Sequence, residues 1–396
     1  MTQLSSDIPL QALLKRFALI YLPVVIILSI ILILSIRFDQ QLQVRNTEVR
    51  EGSRIEIAKE RVTQDMLAVD TDLRVIANLP LLQRYLDSGN PKLRTELEKF
   101  FLVLARETHR YDQIRYLDAN GKEVVRIDYN AGKPAIVSRE QLQNKSGRYY
   151  FSDTIKLDQG NIFVSPLDLN IEHGSLEIPY KPMVRYGTPV FDSEGHKKGI
   201  ILLNYFGNEL LKDFRAVMQG GNQHGSMLLN RDGYWLSSAN SEDEWGFMLG
   251  RNERTFGHDF PEAWRTISAA KQGYLLTKIG LFVYTTAYPL LEGHHSSSGS
   301  TLAHTRSQQD VMTHEYNWKI VSFIPNDILS GAAFYNQPFF RKLLVVVYLL
   351  LALAAFLVAR IALSAYSTET GRSVHGKLDS RSVATRGLFF TPDLWV

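Results

Sequence analysis

The sequence predicts an α+β chain in which two membrane-spanning helices flank a long stalk helix and two antiparallel-sheet units. Three observations carry this. Two uncharged apolar runs lie near the ends, a proline-free stretch carries one apolar stripe at helical spacing, and short strands then alternate with Asp/Asn–Gly turns. The 396 residues are enough for two or three domains with sizeable cores. Forty-four basic and 41 acidic residues leave a net charge of +3, without the basic excess that a nucleic-acid binder shows. The chain has no cysteine, which excludes disulfides, thiolate metal sites and cysteine nucleophiles.

The first run, residues 17–36, has no charge. At about 1.5 Å per residue it matches the roughly 30 Å hydrocarbon core of a bilayer. It is longer than a signal-peptide core and lacks a small-residue cleavage site, so it reads as a span behind a cytoplasmic segment 1–16. The second span covers 343–363, with Arg341, Lys342 and Arg360 bracketing its apolar core. Lys15 and Arg16 precede the first span, and Arg360, Arg372, Lys377, Arg381 and Arg386 lie at or beyond the end of the second. By the positive-inside rule both termini are cytoplasmic and the region between the spans is exported.

Residues 37–79 read as a stalk helix that carries Ile55, Ala58, Val62, Met66, Val69, Leu73 and Ile76 on one stripe. The stripe has two readings. It is a dimer seam centred on Val62, Met66, Val69 and Leu73, giving a homodimer through the stalk, or it packs on the chain's own domain.

A first sheet unit is expected over 80–210. Its strands are Ile114–Leu117, Glu123–Tyr129, Tyr149–Ile155, Ile162–Ser165, Pro182–Phe191 and Gly199–Tyr205, with turns at Asp118–Gly121 and Asp192–Gly195. A helix over Glu209–Met218 leads to a second unit, 215–330. There the strands are Ser226–Leu229, Tyr234–Ser237, Gly273–Thr277, Leu281–Tyr288 and Trp318–Ile324. Residues 293–309, dense in serine and holding His294, His295 and His304 with His314 beyond, read as a mobile insertion. No metal site is expected there, for want of an Asp/Glu frame.

The order of these elements resembles the tandem Cache sensors, also called double PDC or PAS-like periplasmic domains. They occur in bacterial membrane histidine kinases, diguanylate cyclases and chemoreceptors. The segments YDQIRYLDANGKEVVR (111–126), SPLDLN (165–170), PVF (189–191) with GIILLNY (199–205), and LLNRDGYW (228–235) are similar to the histidine-kinase-type branch. The resemblance covers residues 37 to about 335. It implies a sensor in a bacterial inner membrane whose periplasmic region binds a small extracellular molecule.

In ligand-binding relatives an Arg-x-Trp/Tyr-Tyr segment holds a carboxylate and a strand-end Asp reads an amine. Arg148, Tyr149 and Tyr150 form a similar segment one residue shorter, while Asn204 stands where that Asp would be. The resemblance therefore implies a simple carboxylate and not an α-amino acid. Lys181 and Arg185 share a face by two-residue alternation and extend the basic pocket. Arg148 and Tyr150 are expected on one side of a strand, with no facing carboxylate.

No glycine-rich phosphate loop, serine elbow or His-Glu-x-x-His occurs, so no catalytic residue and no cofactor is expected. The residues after Ser364 are too few for a kinase or cyclase module, and the tail 364–396 is read as truncated, frame-shifted or served by another subunit. The rival class is an interaction protein whose exported domain binds another protein. The topology predicts that reporter fusions at residue 200 and at the C-terminus report opposite compartments. Matching compartments would reject two spans.

Overall fold

The computed structural model describes residues 10–172, 174–219, 225–300, 305–331 and 333–384. His304 lies outside them. The chain divides into two compact units, one of residues 1–44 with 330–396 and one of residues 45–329.

In the first unit, the N-terminal part of helix α1 (Leu10–Ala77) and helix α9 (Pro338–Ala384) each contain a window long and apolar enough to cross a membrane. They touch through polar contacts. The Ser29 and Tyr348 hydroxyls lie 2.9 Å apart, and the Arg16 guanidinium donates to the Ala362 carbonyl at 3.0 Å.

The second unit holds the rest of α1, continuous to Ala77. Helices α2 (Pro80–Ser88) and α3 (Pro91–Thr108) follow, and each begins with a proline, where the missing N–H costs nothing. The main sheet has nine strands. Seven of the nine are β1 (Tyr111–Asp118), β2 (Glu123–Asp128), β3 (Ala135–Ile136), β4 (Ile162–Val164), β5 (Asp168–Leu169), β8 (Pro182–Phe191) and β9 (Lys197–Phe206). The small hairpin β6 (Ile171–Glu172) and β7 (Ser175–Leu176) stands apart. Helix α5 (Gly207–Gln219) leads to a five-stranded sheet of β10 (Ser226–Leu229), β11 (Trp235–Ser237), β12 (Gln272–Leu276), β13 (Gly280–Ala287) and β16 (Trp318–Pro325). One face of it carries Trp235, Phe282 and Val321, which pack with Phe256 of α6 (Phe256–Asp259) and with Ala263 and Ile267 of α7 (Pro261–Ala269).

Three expectations are corrected. Tyr149–Ile155 is helix α4, not a strand. Gly187 of β8 explains its seat: a Cβ there would lie 2.5 Å from Thr154 Oγ1, so only glycine lets α4 approach the sheet this closely.

Residues 293–309 are not a loose insertion in their described part. β14 (His294–Ser297) pairs in parallel with β4 of the larger sheet, and β15 (Asp310–Val311) pairs with β14. An arm rooted in the second sheet thus completes the first. Its buried His294 sits on the stalk, with Nε2 2.7 Å from Asp70 Oδ1, and its Nδ1 accepts the Leu291 N–H at 3.1 Å.

The stalk stripe, finally, is spent on the chain's own core. Val62, Met66, Val69 and Leu73 are all fully buried, the Tyr186 hydroxyl donates to Met66 Sδ at 2.9 Å, and the Tyr111 hydroxyl donates to Asp72 at 2.5 Å. Lower down, Ser322 of β16 donates to the buried Glu51 at 2.9 Å. The stripe is not a dimer seam. Two results follow. Leu73→Ala should destabilise the chain by about 2–5 kcal/mol, read from denaturant unfolding. A cysteine at Val62 should resist a maleimide that labels one at the exposed Ile57. Ready labelling at Val62 would return the stripe to a subunit interface.

Candidate functional site

The site begins with strand alternation on the nine-stranded sheet. Gln113, Arg115 and Leu117 of β1 project from one face, with their partners Asn204, Leu202 and Ile200 on β9 and Arg185 and Gly187 on β8. The far end of this face is apolar, where Leu117, Ile200 and Leu202 pack under α4 with Tyr149, Tyr150 and Phe151. The near end carries charge. Arg115 and Arg185 are among the largest fully buried side chains in the chain. Such guanidinium groups cost several kcal/mol to desolvate unless partners surround them.

Arg185 is well supplied. Its Nη1 donates to Asp168 Oδ1 at 2.6 Å and to the Tyr149 hydroxyl at 3.4 Å, and its Nη2 to Asn170 Oδ1 at 2.9 Å. The Tyr149 hydroxyl donates to Asp168 Oδ2 at 2.8 Å. Burial, and then the Asp168 carboxylate, push the Tyr149 pKa well up, so it stays a neutral donor. A facing carboxylate is therefore present, contrary to expectation. It belongs to Arg185.

Arg115 is less well held. Nη2 donates to Asn204 Oδ1 at 2.7 Å, the Glu123 contact through Nη1 is long at 3.4 Å, and Nε is buried with no partner. Glu123 also accepts the Gln143 N–H at 3.0 Å and faces Arg126 at 3.6 Å. Burial works against its charge, but Arg115 and Arg126 hold its carboxyl below the usual range.

Arg148 caps the start of α4 with no carboxylate beside it among the described residues. It reaches only the Ile171 carbonyl, at 3.5 Å, and its Nε is buried and unpartnered. Between these cations lies Tyr150. The guanidinium carbons of Arg115, Arg148 and Arg185 stand 5.4, 5.5 and 5.4 Å from its ring centroid. Three cations around one ring form a cation–π cluster. Its hydroxyl makes no hydrogen bond among the described residues.

Of the six residues singled out from sequence, five are brought together: Arg148, Tyr149, Tyr150, Arg185 and Asn204. The route differs from the expected one, because Arg148 and Tyr150 come from a helical turn and not from one side of a strand. Lys181 is not among them. It lies just before β8 and is spent on Asp112 at 3.0 Å and Glu177 at 2.9 Å. The sequence reading missed Arg115, Glu123, Lys145 and Asn170. An arginine between Ile114 and Tyr116 in a central strand was the available signal.

A cavity of about 1150 Å³ opens beside the cluster. Gln113, Arg126, Gln143, Asn170 and Glu172 line it, and each touches a member or partner of the cluster from behind. The arrangement can hold an anion.

Tyr150 supplies a test of this electrostatics. Burial alone would push its pKa up, but Arg115, Lys145, Arg148 and Arg185 outweigh it and bring the pKa below the ordinary tyrosine value. On raising the pH, the first tyrosinate absorbance should therefore precede the main wave near pH ~10 and vanish in Tyr150→Phe. A titration unchanged by that substitution would show that the cations are neutralised.

Comparison with known proteins follows the geometry. Residues 60–295 match the family described as the sensor domain of bacterial histidine kinases. Among solved structures, the extracellular domain of vpHK1S-Z8, named as a histidine kinase, aligns with a TM-score of 0.59 at 20% identity, covering 74% of this chain and 96% of that one. A domain of a sensory box/GGDEF family protein from Vibrio parahaemolyticus aligns with a TM-score of 0.58 at 20% identity, covering 73% and 99%. Both share the fold. No match was found among curated proteins. The family match spans more than half of the sequence, and the chain belongs to the bacterial histidine-kinase sensor domains.

Proposed function

We propose that this is a membrane-bound sensor whose exported region is a double Cache domain, with units 80–210 and 215–330, and whose first unit detects a small carboxylate. Two spans, both termini cytoplasmic and a periplasmic position complete this reading, which the two apolar helices and their basic flanks support. One observation carries the ligand assignment: two buried guanidinium Nε atoms, on Arg115 and Arg148, lack partners among the described residues, and both guanidinium groups stand by the Tyr150 ring. A buried donor left unmade costs about 1–3 kcal/mol, and a carboxylate satisfies both donors and charge. Asn204 supplies no negative charge, and its oxygen already accepts from Arg115. It therefore offers no free anion to an ammonium beside the ligand carboxylate.

Transmission follows from the arm. A ligand at Arg148 engages α4 and the segment 165–170. Both touch the arm or its return: Ser307 donates to Asp153 of α4 at 2.7 Å, and the Tyr316 hydroxyl donates to the Ser165 carbonyl at 2.9 Å. The arm in turn holds the stalk through His294 and Asp70. Ligand occupancy would bias the stalk by its differential contacts with this chain of elements.

A second reading, docking of another protein, is favoured by the edge strand β12, where Tyr274 and Leu276, with Ile279 just beyond, are each about half exposed.

The sensor reading is tested by thermal shift of the full chain in detergent against small carboxylates, amino acids and amines. A carboxylate present at about 100 times its Kd should add about 2.7 kcal/mol of stability. Arg148→Ala should weaken that binding at least about tenfold while leaving the unliganded melting curve in place. If no anion shifts the transition, and substitutions along β12 abolish capture of a partner protein, docking replaces sensing.

A further inference from the structure

A second cavity, of about 230 Å³, lies where the two sheets and the arm meet, and no arginine of the Tyr150 cluster lines it. Strand alternation explains one of its walls. On the five-stranded sheet Trp235 and Val321 face α6 and α7, so Leu236 and Trp318 project from the opposite face, the one from which Ser322 reaches Glu51 of the stalk. Tyr234 and Phe247 line the same space with their rings 5.5 Å apart, and Tyr316 stands 5.9 Å from Trp318. Pro166 and Leu167 come from the segment that also supplies Asp168 and Asn170 to Arg185, while Ser297 and Val311 come from the arm. Three separate pieces of chain thus enclose one small space.

Several polar groups on its wall are already engaged. The Tyr316 hydroxyl donates to the Ser165 carbonyl, the Tyr234 hydroxyl donates to the Asn252 carbonyl at 3.1 Å, and Asn230 Oδ1 accepts the Asp232 and Tyr234 N–H groups. Among the described residues only Arg231 and Asp232 bring charge to the wall, and they face each other at 3.6 Å, so the charges cancel. Trp318 differs. It is only 3% exposed, its indole N–H makes no hydrogen bond among the described residues, and its nitrogen is not one of the polar atoms sealed off by protein. A buried ring with a free donor therefore stands on the cavity wall.

We propose that this cavity is a second ligand site, for an uncharged aromatic molecule of one substituted ring whose hydrogen-bond acceptor takes the Trp318 N–H. Size argues for a single ring, since benzene fills a cavity of about 150 Å³ and drug-sized ligands occupy about 300–1,000 Å³. The walls argue for an aromatic, because Tyr234, Phe247, Tyr316 and Trp318 offer ring faces and edges to it. A charged ligand would lose its hydration against these walls, where Arg231 and Asp232 already balance each other. The site does not depend on the anion reading of the Tyr150 cluster. Its occupant touches the segment covering the first sheet, the arm and the second sheet at once, so it acts on the joint between the two sheets.

The test is calorimetric titration of the full chain in detergent, with empty micelles as the blank, comparing benzyl alcohol and acetophenone with toluene. The better of the first two should bind about threefold to tenfold more tightly than toluene, as one added hydrogen bond to a buried donor implies. Neither benzoate nor benzylamine should displace it. Trp318→Phe keeps a ring but removes the donor, and should bring the ratio to toluene close to one. Leu167→Phe narrows the cavity and should abolish binding of all three. Toluene binding as tightly as the oxygen-bearing compounds in the wild-type chain overturns the proposal, as does displacement by benzoate or benzylamine. Binding unchanged in both variants places the ligand elsewhere and overturns the site. Absence of binding by all three compounds overturns it too, and the wild-type series decides the matter even if a variant fails to fold.

Discussion

The cost of burying Arg185 organises the nine-stranded sheet and the segments that cover it. A guanidinium fully withdrawn from water on a central strand must be surrounded, and the chain surrounds it with Asp168, Asn170 and the Tyr149 hydroxyl. Those partners come from two separate stretches, neither of them the strand of Arg185 itself. Asp168 and Asn170 lie on the segment that returns over the sheet, and Tyr149 opens α4. Satisfying one cation therefore fixes the loop, the helix and the strand against each other. Removing a single partner from such a buried pair costs about 3–5 kcal/mol, because a charge is left uncompensated. The arm packs on the same framework through Tyr316 and Ser165, so the second sheet is tied to this ion pair too.

Most of the fold was legible in the sequence because its signals were local. Pro182–Phe191 and Ser226–Leu229 are strands with the expected bounds, and the Asp118–Gly121 and Asn230–Gly233 turns close the hairpins that their residues imply. The errors have one cause. Tyr149–Ile155 has strand-like composition, rich in aromatics and Thr, but a helix forms there because the aromatics bury against Leu117, Ile200 and Leu202 across the sheet. His294–Ser297 reads as polar loop, and becomes a strand only because β4 offers a free edge far away in sequence. The stalk stripe was ambiguous by nature: periodicity says that a face is buried and not against what.

The site shows the same division. Arg148, Tyr149, Tyr150 and Arg185 were identifiable as residue types that recognise a carboxylate and Asn204 as an uncharged residue at the amine-reading position, and the five do converge. Their state was not readable. Asp168 neutralises Arg185, and Asn204 is spent on Arg115 and Gln113, so the two residues nearest the centre of the expected pocket are structural. The free capacity sits on Arg148 and on Arg115. Which arginine is satisfied depends on side chains brought together from β1, β8, β9 and α4, and no spacing along the chain encodes that.

The arm gives the arrangement its mechanical meaning. If the two sheets were joined by α5 alone, a ligand held at α4 would act on its own sheet and little else. β14 removes that independence, since it is covalently part of the second sheet's connection and hydrogen-bonded into the first. Its His294 then meets Asp70 in the middle of the stalk helix, where Arg74 also bonds that carboxylate at 2.9 Å. Burial opposes the charge on Asp70, yet His294 and Arg74 hold its carboxyl below the usual range. The stabilisation from that contact is therefore present above the unfolded carboxyl pKa near ~4 and lost only as the pH falls through the lower folded value. Above that range the Asp70 contact ties the stalk to the arm, and the pairing of β14 with β4 ties the arm to the nine-stranded sheet. A displacement at α4 must either be absorbed by the unpartnered end of the cluster, at Arg148, or be carried into the stalk.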